Sequence, residues 1–261
     1  MKAKWLTRTQ VHRWDLLVTL VAKEIKVRYR STVLGYAWSL LQPFVFGAVF
    51  YLVIKVMLRV PQEDYLVFLL CGLFPWHCFQ NSVGGSVTVF LTNSPLLRKV
   101  RFSHAVLVYA VVANEGCHLA LTLPVMLVVK FAVDGGLHLG ASILGFMLLL
   151  PALGLTAAGI ALMAASVNVF FRDIERMVGL LLMVLFYGTP ILYPPSAVPV
   201  EWRWVLHIHP VAGAISCWRS CVMSGVFSWA DYATAIIGGG VLFLMAKLVF
   251  RRADHWIAER V

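Results

Sequence analysis

Residues 141–167 read ASILGFMLLLPALGLTAAGIALMAASV and contain no charged side chain. A helix needs about 20 apolar residues to cross the hydrocarbon core of a bilayer, and this run is long enough. Backbone groups in lipid must bond internally, which leaves helices and closed barrels as spanning structures. Unbroken apolar runs exclude the alternating pattern of a membrane barrel. The stretch therefore reads as a transmembrane helix. Further runs at 37–58, 66–90, 105–131, 177–193 and 233–250 read the same way. Composition agrees. Of 261 residues, 61% are hydrophobic and 13% charged, with mean hydropathy +0.83. A soluble domain carries about a quarter charged residues. The expected fold is all-α, a single polytopic membrane domain over 1–261 with six spans.

The formal charge of +10 is concentrated beside these runs. Lys2, Lys4, Arg8, Arg13, Lys23, Lys26, Arg28 and Arg30 precede the first span; Arg98, Lys99 and Arg101 lie between spans two and three. Arg172 and Arg176 lie between spans four and five, and Lys247, Arg251, Arg252 and Arg260 at or after the end of span six. The opposite side holds Lys55, Arg59, Lys130, Arg203 and Arg219. Positive-inside reasoning places both termini in the cytoplasm, the chain crossing the membrane several times. Basic loops beside spans serve topology and anionic lipid, so no nucleic-acid partner is expected. The basic N-terminus is followed by no compact apolar core with a small-residue cleavage site, so no removable signal peptide is expected.

Two segments are neither spans nor plain loops. In 14–30, Trp14, Leu17, Val21, Ile25 and Tyr29 recur every three or four residues while Asp15, Lys23, Lys26 and Arg30 point elsewhere. That pattern predicts an amphipathic helix in the headgroup plane. The segment 194–230 holds Pro194, Pro195, Pro199 and Pro210 with Trp202, Trp204, Trp218 and Trp229. It is too broken for a span and too apolar for a plain loop, so short re-entrant helices at the outer leaflet are expected.

Chemistry-bearing motifs are sparse. No GxxxxGK[ST], HExxH or GxSxG occurs. The histidines are scattered, and His207 and His209 lack neighbouring ligands in sequence, so no metal site and no catalytic residue are expected. Cys217 and Cys221 are spaced i, i+4, weak grounds for a disulfide or metal site. Glu115 is the exception to the lack of acids within spans. An intramembrane carboxylate costs about 2.5–3.5 kcal/mol on insertion scales. It is expected to face protein and to pair, with His118 at i, i+3 a candidate partner; a proton relay or substrate contact is the other reading. Aromatic residues make up 13% of the chain. Tyr36, Trp38, Phe44, Phe46, Tyr51, Phe186 and Tyr187 are candidates for lining a path, because sugar rings glide over aromatic faces without fixed bonding.

Four motifs in order then carry a resemblance. Residues 26–43 (KVRYRSTVLGYAWSLLQP), 72–76 (GLFPW), 168–176 (NVFFRDIER) and 188–193 (GTPILY) resemble the type-2 ABC permeases of polysaccharide export, most closely the Wzm-type O-antigen permeases. Capsule and teichoic-acid permeases are more distant. The resemblance implies a homodimer with two copies of a separate ABC ATPase and a lipid-linked polysaccharide as cargo. It places ATP and Mg on that partner and no cofactor in this chain. It implies that 92–103 (TNSPLLRKVRFS) carries an ATPase-coupling helix, with Pro95, Leu96, Leu97, Arg98, Lys99, Val100, Arg101 and Phe102 as contacts. It also implies a channel lined by spans one and five and a periplasmic gate that includes Pro195, Pro199, Trp202, Trp204 and Trp218. Arg28 and Arg30 would sit where a lipid pyrophosphate arrives, and arginine is well shaped for phosphate. The expected role is export from cytoplasm to periplasm. The alternatives are capsular-polysaccharide or teichoic-acid export and a membrane-embedded glycan- or lipid-modifying enzyme. The enzyme would need clustered acids or histidines at the membrane face, which the sequence lacks. A secondary transporter would need several intramembrane ionisable groups and internal repeats.

Overall fold

The computed structural model describes residues 15–23, 37–57, 59, 64–99 and 102–260, and these form helices without a strand among them. Helix α1 covers 15–23. Helix α2 (Ala37–Phe50) continues as a π-helix, Tyr51–Met57. Then come α3 (Tyr65–Ser86), α4 (Val89–Thr92), α5 (Ser94–Lys99), α6 (Ala105–Asp134), α7 (Leu139–Asn168) and α8 (Ile174–Gly188). Two 3-10 turns, Pro195–Ala197 and Val200–Trp202, lead to α9 (Arg203–Ile208), α10 (Pro210–Met223) and α11 (Trp229–Arg260). By length and composition, Tyr65–Ser86, Ala105–Val133, Leu139–Asn168 and Trp229–Ile257 can cross a membrane, and 44–57 is a shorter apolar helix.

Several boundaries differ from the sequence expectation, each for a local reason. The second run breaks at Val87 and Thr88. Gly84 and Gly85 weaken the helix, its last turn tightens to an i→i+3 bond from Val87 N to Gly84 O, and Asn93 Nδ2 caps Val89 O. The fifth run is helical for 15 residues, about 22 Å, short of the roughly 30 Å hydrocarbon core. It stops because Pro190 drives Thr189 into an extended conformation (φ −91°, ψ 138°). The sixth runs to 32 residues, well past 250.

Two cores hold the bundle. The larger surrounds α3, whose Trp76, Phe79, Leu69, Leu70 and Leu73 are enclosed by α6, α7, α8 and α10. The smaller lies at the end that carries α4 and α5. It joins Leu20, Phe90, Val106, Leu107, Ala161, Leu162, Phe250 and Ile257. Between them α7 and α11 cross closely, Gly159 against Leu242 and Phe243 and Gly239 against Thr156 and Ala152. A Cβ on Gly159 would lie 2.8 Å from Phe243 N and 3.0 Å from Leu242 C. Small residues at such crossings let backbones approach in lipid, where packing has to replace the hydrophobic drive.

The described part of the N-terminal helix rests its apolar face on protein. Leu20 is buried, and Leu16, Leu17 and Val21 pack with it on the smaller core. Lys23 Nζ donates to Asn93 Oδ1 at 3.5 Å. The apolar face meets protein because α4, α5 and the ends of α6 and α11 offer an apolar bed, a long-range fact hidden from the local pattern. Val18 stays half exposed. Trp14, Ile25, Arg28, Tyr29, Arg30 and Tyr36 lie outside the described residues.

Candidate translocation path

Helices α2, α3 and α8 diverge to leave a cavity of about 360 Å³. One wall is aromatic. Phe46 and Phe50 stand one turn apart on α2, and Phe186 and Tyr187 end α8. The Phe50 and Phe186 rings are 5.9 Å apart, Phe186 and Tyr187 meet edge-on at 5.2 Å, and Trp76 lies 5.6 Å from Phe186. Helical spacing explains this wall, since α8 turns Gly179, Leu182, Met183 and Phe186 to one side. The other wall is polar: Gln42, His77, Gln80 and Asn81.

Of the seven aromatic candidates, the structure brings Phe46, Phe186 and Tyr187 together. Phe44 turns inward, edge-on to buried Phe74 at 5.5 Å. Tyr51 faces Tyr65 at 6.3 Å. Trp38 lies on α2, its side chain outside the described residues. The polar wall was missed from sequence, although the spacing 77, 80, 81 and 84 in an apolar run was a readable signal.

The 188–193 and 72–76 motifs meet. Arg219, on α10, is buried with its guanidinium 3.6 Å above the Phe68 ring. Its Nη1 donates to Pro190 O at 2.8 Å and Nη2 to Ile191 O at 3.4 Å, while Tyr65 Oη donates to Leu192 O at 3.0 Å. Three successive carbonyls of the non-helical stretch after α8 are thus satisfied inside the bundle. Gly72 makes room: a Cβ there would lie 2.8 Å from Arg219 Nη2 and 3.0 Å from Ile191 Cγ2. Sequence reasoning missed Arg219, whose signal was a lone guanidinium within an apolar helix.

At the same end a cavity of about 470 Å³ lies among Pro195, Ser196, Arg203, His207, Ser216 and Asp231. Pro195 opens the first 3-10 turn, and Pro199 precedes the second. Arg203 ties the two turns together, donating from Nε to Val198 O at 2.9 Å and from Nη2 to Ser196 O at 3.0 Å. Trp202 and Trp204 are exposed. Trp218 corrects its gate assignment. It is buried, edge-on to Phe146 of α7 at 5.4 Å, because α10 packs between α3, α7 and α11. Cys217 and Cys221 are free thiols inside α10.

His209 caps α10, its Nδ1 accepting from Ala212 N at 3.1 Å. Burial pushes its pKa below the ordinary 6.5, and the neutral ring is the form that accepts. The folded state therefore binds this proton less tightly than the unfolded one. The cap's contribution to stability is whole above about pH 6.5 and is lost as pH falls from there to the folded-state pKa. His209→Ala is expected to cost about 1 kcal/mol at neutral pH, with the gap from the parent narrowing in acid; thermal melts across that range check it.

At the α4–α5 end, Ser94–Lys99 is helical as expected. Pro95 and Arg98 are exposed. Leu96, Leu97 and Phe102 are half-buried against the chain's own core, so their apolar contacts are partly internal. Lys99 ends the helix; Val100 and Arg101 lie outside the described residues. Close by, His104 Nδ1 and Asp254 Oδ1 are 2.7 Å apart, linking α6 to α11. Glu115 is buried as expected, and Asn81 Nδ2 donates to its Oε2 at 3.4 Å. Lys130, buried in α6, lies 4.0 Å from Asp64. Among the described residues no three His, Cys, Asp or Glu gather as a metal site.

Comparison with known proteins gives the family. Residues 15–223 match the family model for ABC-2 type transporters. An "O-antigen export system permease protein RfbA" of Klebsiella pneumoniae is 34% identical over 247 residues, 94% of this chain and 95% of its own. One of Myxococcus xanthus is 33% identical over 249 residues, again 94% and 95%. A "Polysialic acid transport protein KpsM" of Escherichia coli is 26% identical over 216 residues, 80% of this chain and 81% of its own. With a family match over most of its length and end-to-end relatives above 30% identity, the chain belongs to the ABC-2 type transporter family.

Proposed function

We propose that the chain is the permease subunit of an ATP-driven exporter that moves lipid-linked, O-antigen-type polysaccharide from cytoplasm to periplasm. The observation that carries this reading is the open groove with aromatic rings from α2 and α8, in a chain whose full-length relatives are named for O-antigen export. Rings stack on the apolar faces of sugars and tolerate repeats of a polymer sliding past. The KpsM-named relatives are less similar over less of the chain, which favours O-antigen-type cargo over capsule.

In this reading the six spans are α2 with its π-helical end, α3, α6, α7, α8 with the clasped stretch after it, and α11. They form one permease domain, with α9 and α10 re-entering from the periplasmic face and both termini in the cytoplasm of an inner-membrane protein. Two copies pair, and each engages an ABC ATPase through Ser94–Lys99. Hydrolysis of ATP with Mg belongs to that partner. Arg28 and Arg30 would meet the lipid pyrophosphate, the path would run between spans one and five, and Pro195, Pro199, Trp202 and Trp204 would line its exit. No bond is made or broken in this chain. In sealed vesicles, glycan is expected to cross only when the partner ATPase and ATP are both present; passage without nucleotide would reject the mechanism.

A further inference from the structure

Helix α3 is the most enclosed of the long helices, yet one strip of it is open. Gln80, Asn81 and Gly84 are exposed and His77 is half exposed. Positions 77, 80, 81 and 84 fall on a single helix face. Polar side chains on a spanning helix do not face lipid; they face protein or a water-filled cavity. Here His77, Gln80 and Asn81 line the groove opposite Phe46, Phe186 and Tyr187.

Two hydrogen bonds fix which atoms point into that groove. Trp76 Nε1 can only donate, and it donates to Gln80 Oε1 at 2.9 Å. The Gln80 Nε2 group is thereby left facing outward. Asn81 Nδ2 donates to Glu115 Oε2 at 3.4 Å, which leaves its Oδ1 outward. The strip thus presents a donor and an acceptor on adjacent residues, the pair that a sugar hydroxyl satisfies by accepting from one and donating to the other. Among the described residues no charged side chain lines the groove, and buried Glu115 stands behind Asn81. A polyanion finds no lysine or arginine there to offset the cost of stripping water from its charges, whereas an uncharged chain incurs no such cost.

We propose that His77, Gln80 and Asn81 of span two form the hydrogen-bonding wall of the path, selecting an uncharged, hydroxyl-rich glycan whose ring faces stack on the aromatic wall. Glu115 is a positioning residue that holds the Asn81 amide. This deepens the export reading and rests on it.

The test uses the full chain with its ATPase in sealed vesicles, loaded with a lipid-linked uncharged pyranose polymer. Gln80→Leu combined with Asn81→Leu is expected to slow ATP-dependent export by about tenfold or more with normal ATPase co-purification. Val184→Ala, on the exposed side of α8, is expected to export normally. Export by the double variant at the parental rate overturns the polar wall while leaving the exporter reading intact. A parent chain that moves no glycan with ATP overturns the exporter reading itself. A second measurement does not depend on export. Gln80→Cys in a Cys117→Ser background is expected to react with an anionic, water-soluble thiosulfonate and to be protected by the polymer. If the introduced thiol is reached only by lipid-soluble reagents, hydrocarbon fills the groove and the proposal is overturned. A polyanionic polymer exported as fast as the uncharged one overturns the charge selectivity.

Discussion

Arg219→Ala is expected to destabilise the folded protein by about 3 kcal/mol. Hydrogen bonds to a charged donor contribute about 1.5–3 kcal/mol each, and Arg219 supplies bonds to Pro190 O and Ile191 O. A desolvated cation over an aromatic ring adds about 2 kcal/mol, here over Phe68. Releasing a buried guanidinium to water offsets part of the sum. The carbonyls left behind lose their charged donor and the ring loses its cation, so the loss dominates. Arg219→Lys is not expected to rescue, because an ammonium cannot reach two successive carbonyls while lying flat on a ring. Thermal melting in detergent reads the effect. A loss below about 1 kcal/mol would mean that the stretch after α8 is held by something else.

The second large effect is expected at Gly159. The atoms that a Cβ would meet are Phe243 N, Leu242 C and Phe243 Cα, all backbone, at 2.8–3.0 Å. Backbone cannot rotate aside as a side chain can, so α7 and α11 must separate. Overpacking costs about 1–3 kcal/mol for small insertions. Gly159→Ala is expected near the middle of that range, and Gly159→Leu is expected to yield no monodisperse protein. Gly154 is the control on the same helix. A Cβ there meets nothing within 4 Å, so Gly154→Ala is expected to be neutral or to stabilise by up to about 1 kcal/mol. Size-exclusion profiles and melting curves of the three variants separate steric cost from helix propensity.

Much of the architecture was legible because long apolar runs have few solutions in lipid. The runs at 105–131 and 141–167 fall inside α6 and α7 with boundaries close to those expected. Which face of each helix is buried was not legible. Helices apolar all round carry no amphipathic stripe, so Phe44 and Phe46 looked equivalent although one turns into the core and the other into the groove. Trp218 misled for a related reason. Tryptophan marks interfaces on average, but α10 packs inward among three longer helices. Gly72, Arg219 and Ile191 meet from distant parts of the sequence, and nothing local encodes it. The polar strip on α3 was readable by its period and was overlooked because amides in an apolar run look like isolated exceptions.

Helix α11 has a mechanical consequence. Its 32 residues span about 48 Å, some 18 Å more than the hydrocarbon thickness, and no proline interrupts them. Three successive glycines, Gly238, Gly239 and Gly240, weaken it in its first half, while the stretch from Val241 to Arg260 holds neither glycine nor proline. The surplus carries Arg251, Arg252 and Asp254, and Asp254 is pinned to His104 only five residues beyond Ser94–Lys99. A displacement near that short helix is therefore handed directly to the glycine-free stretch of α11.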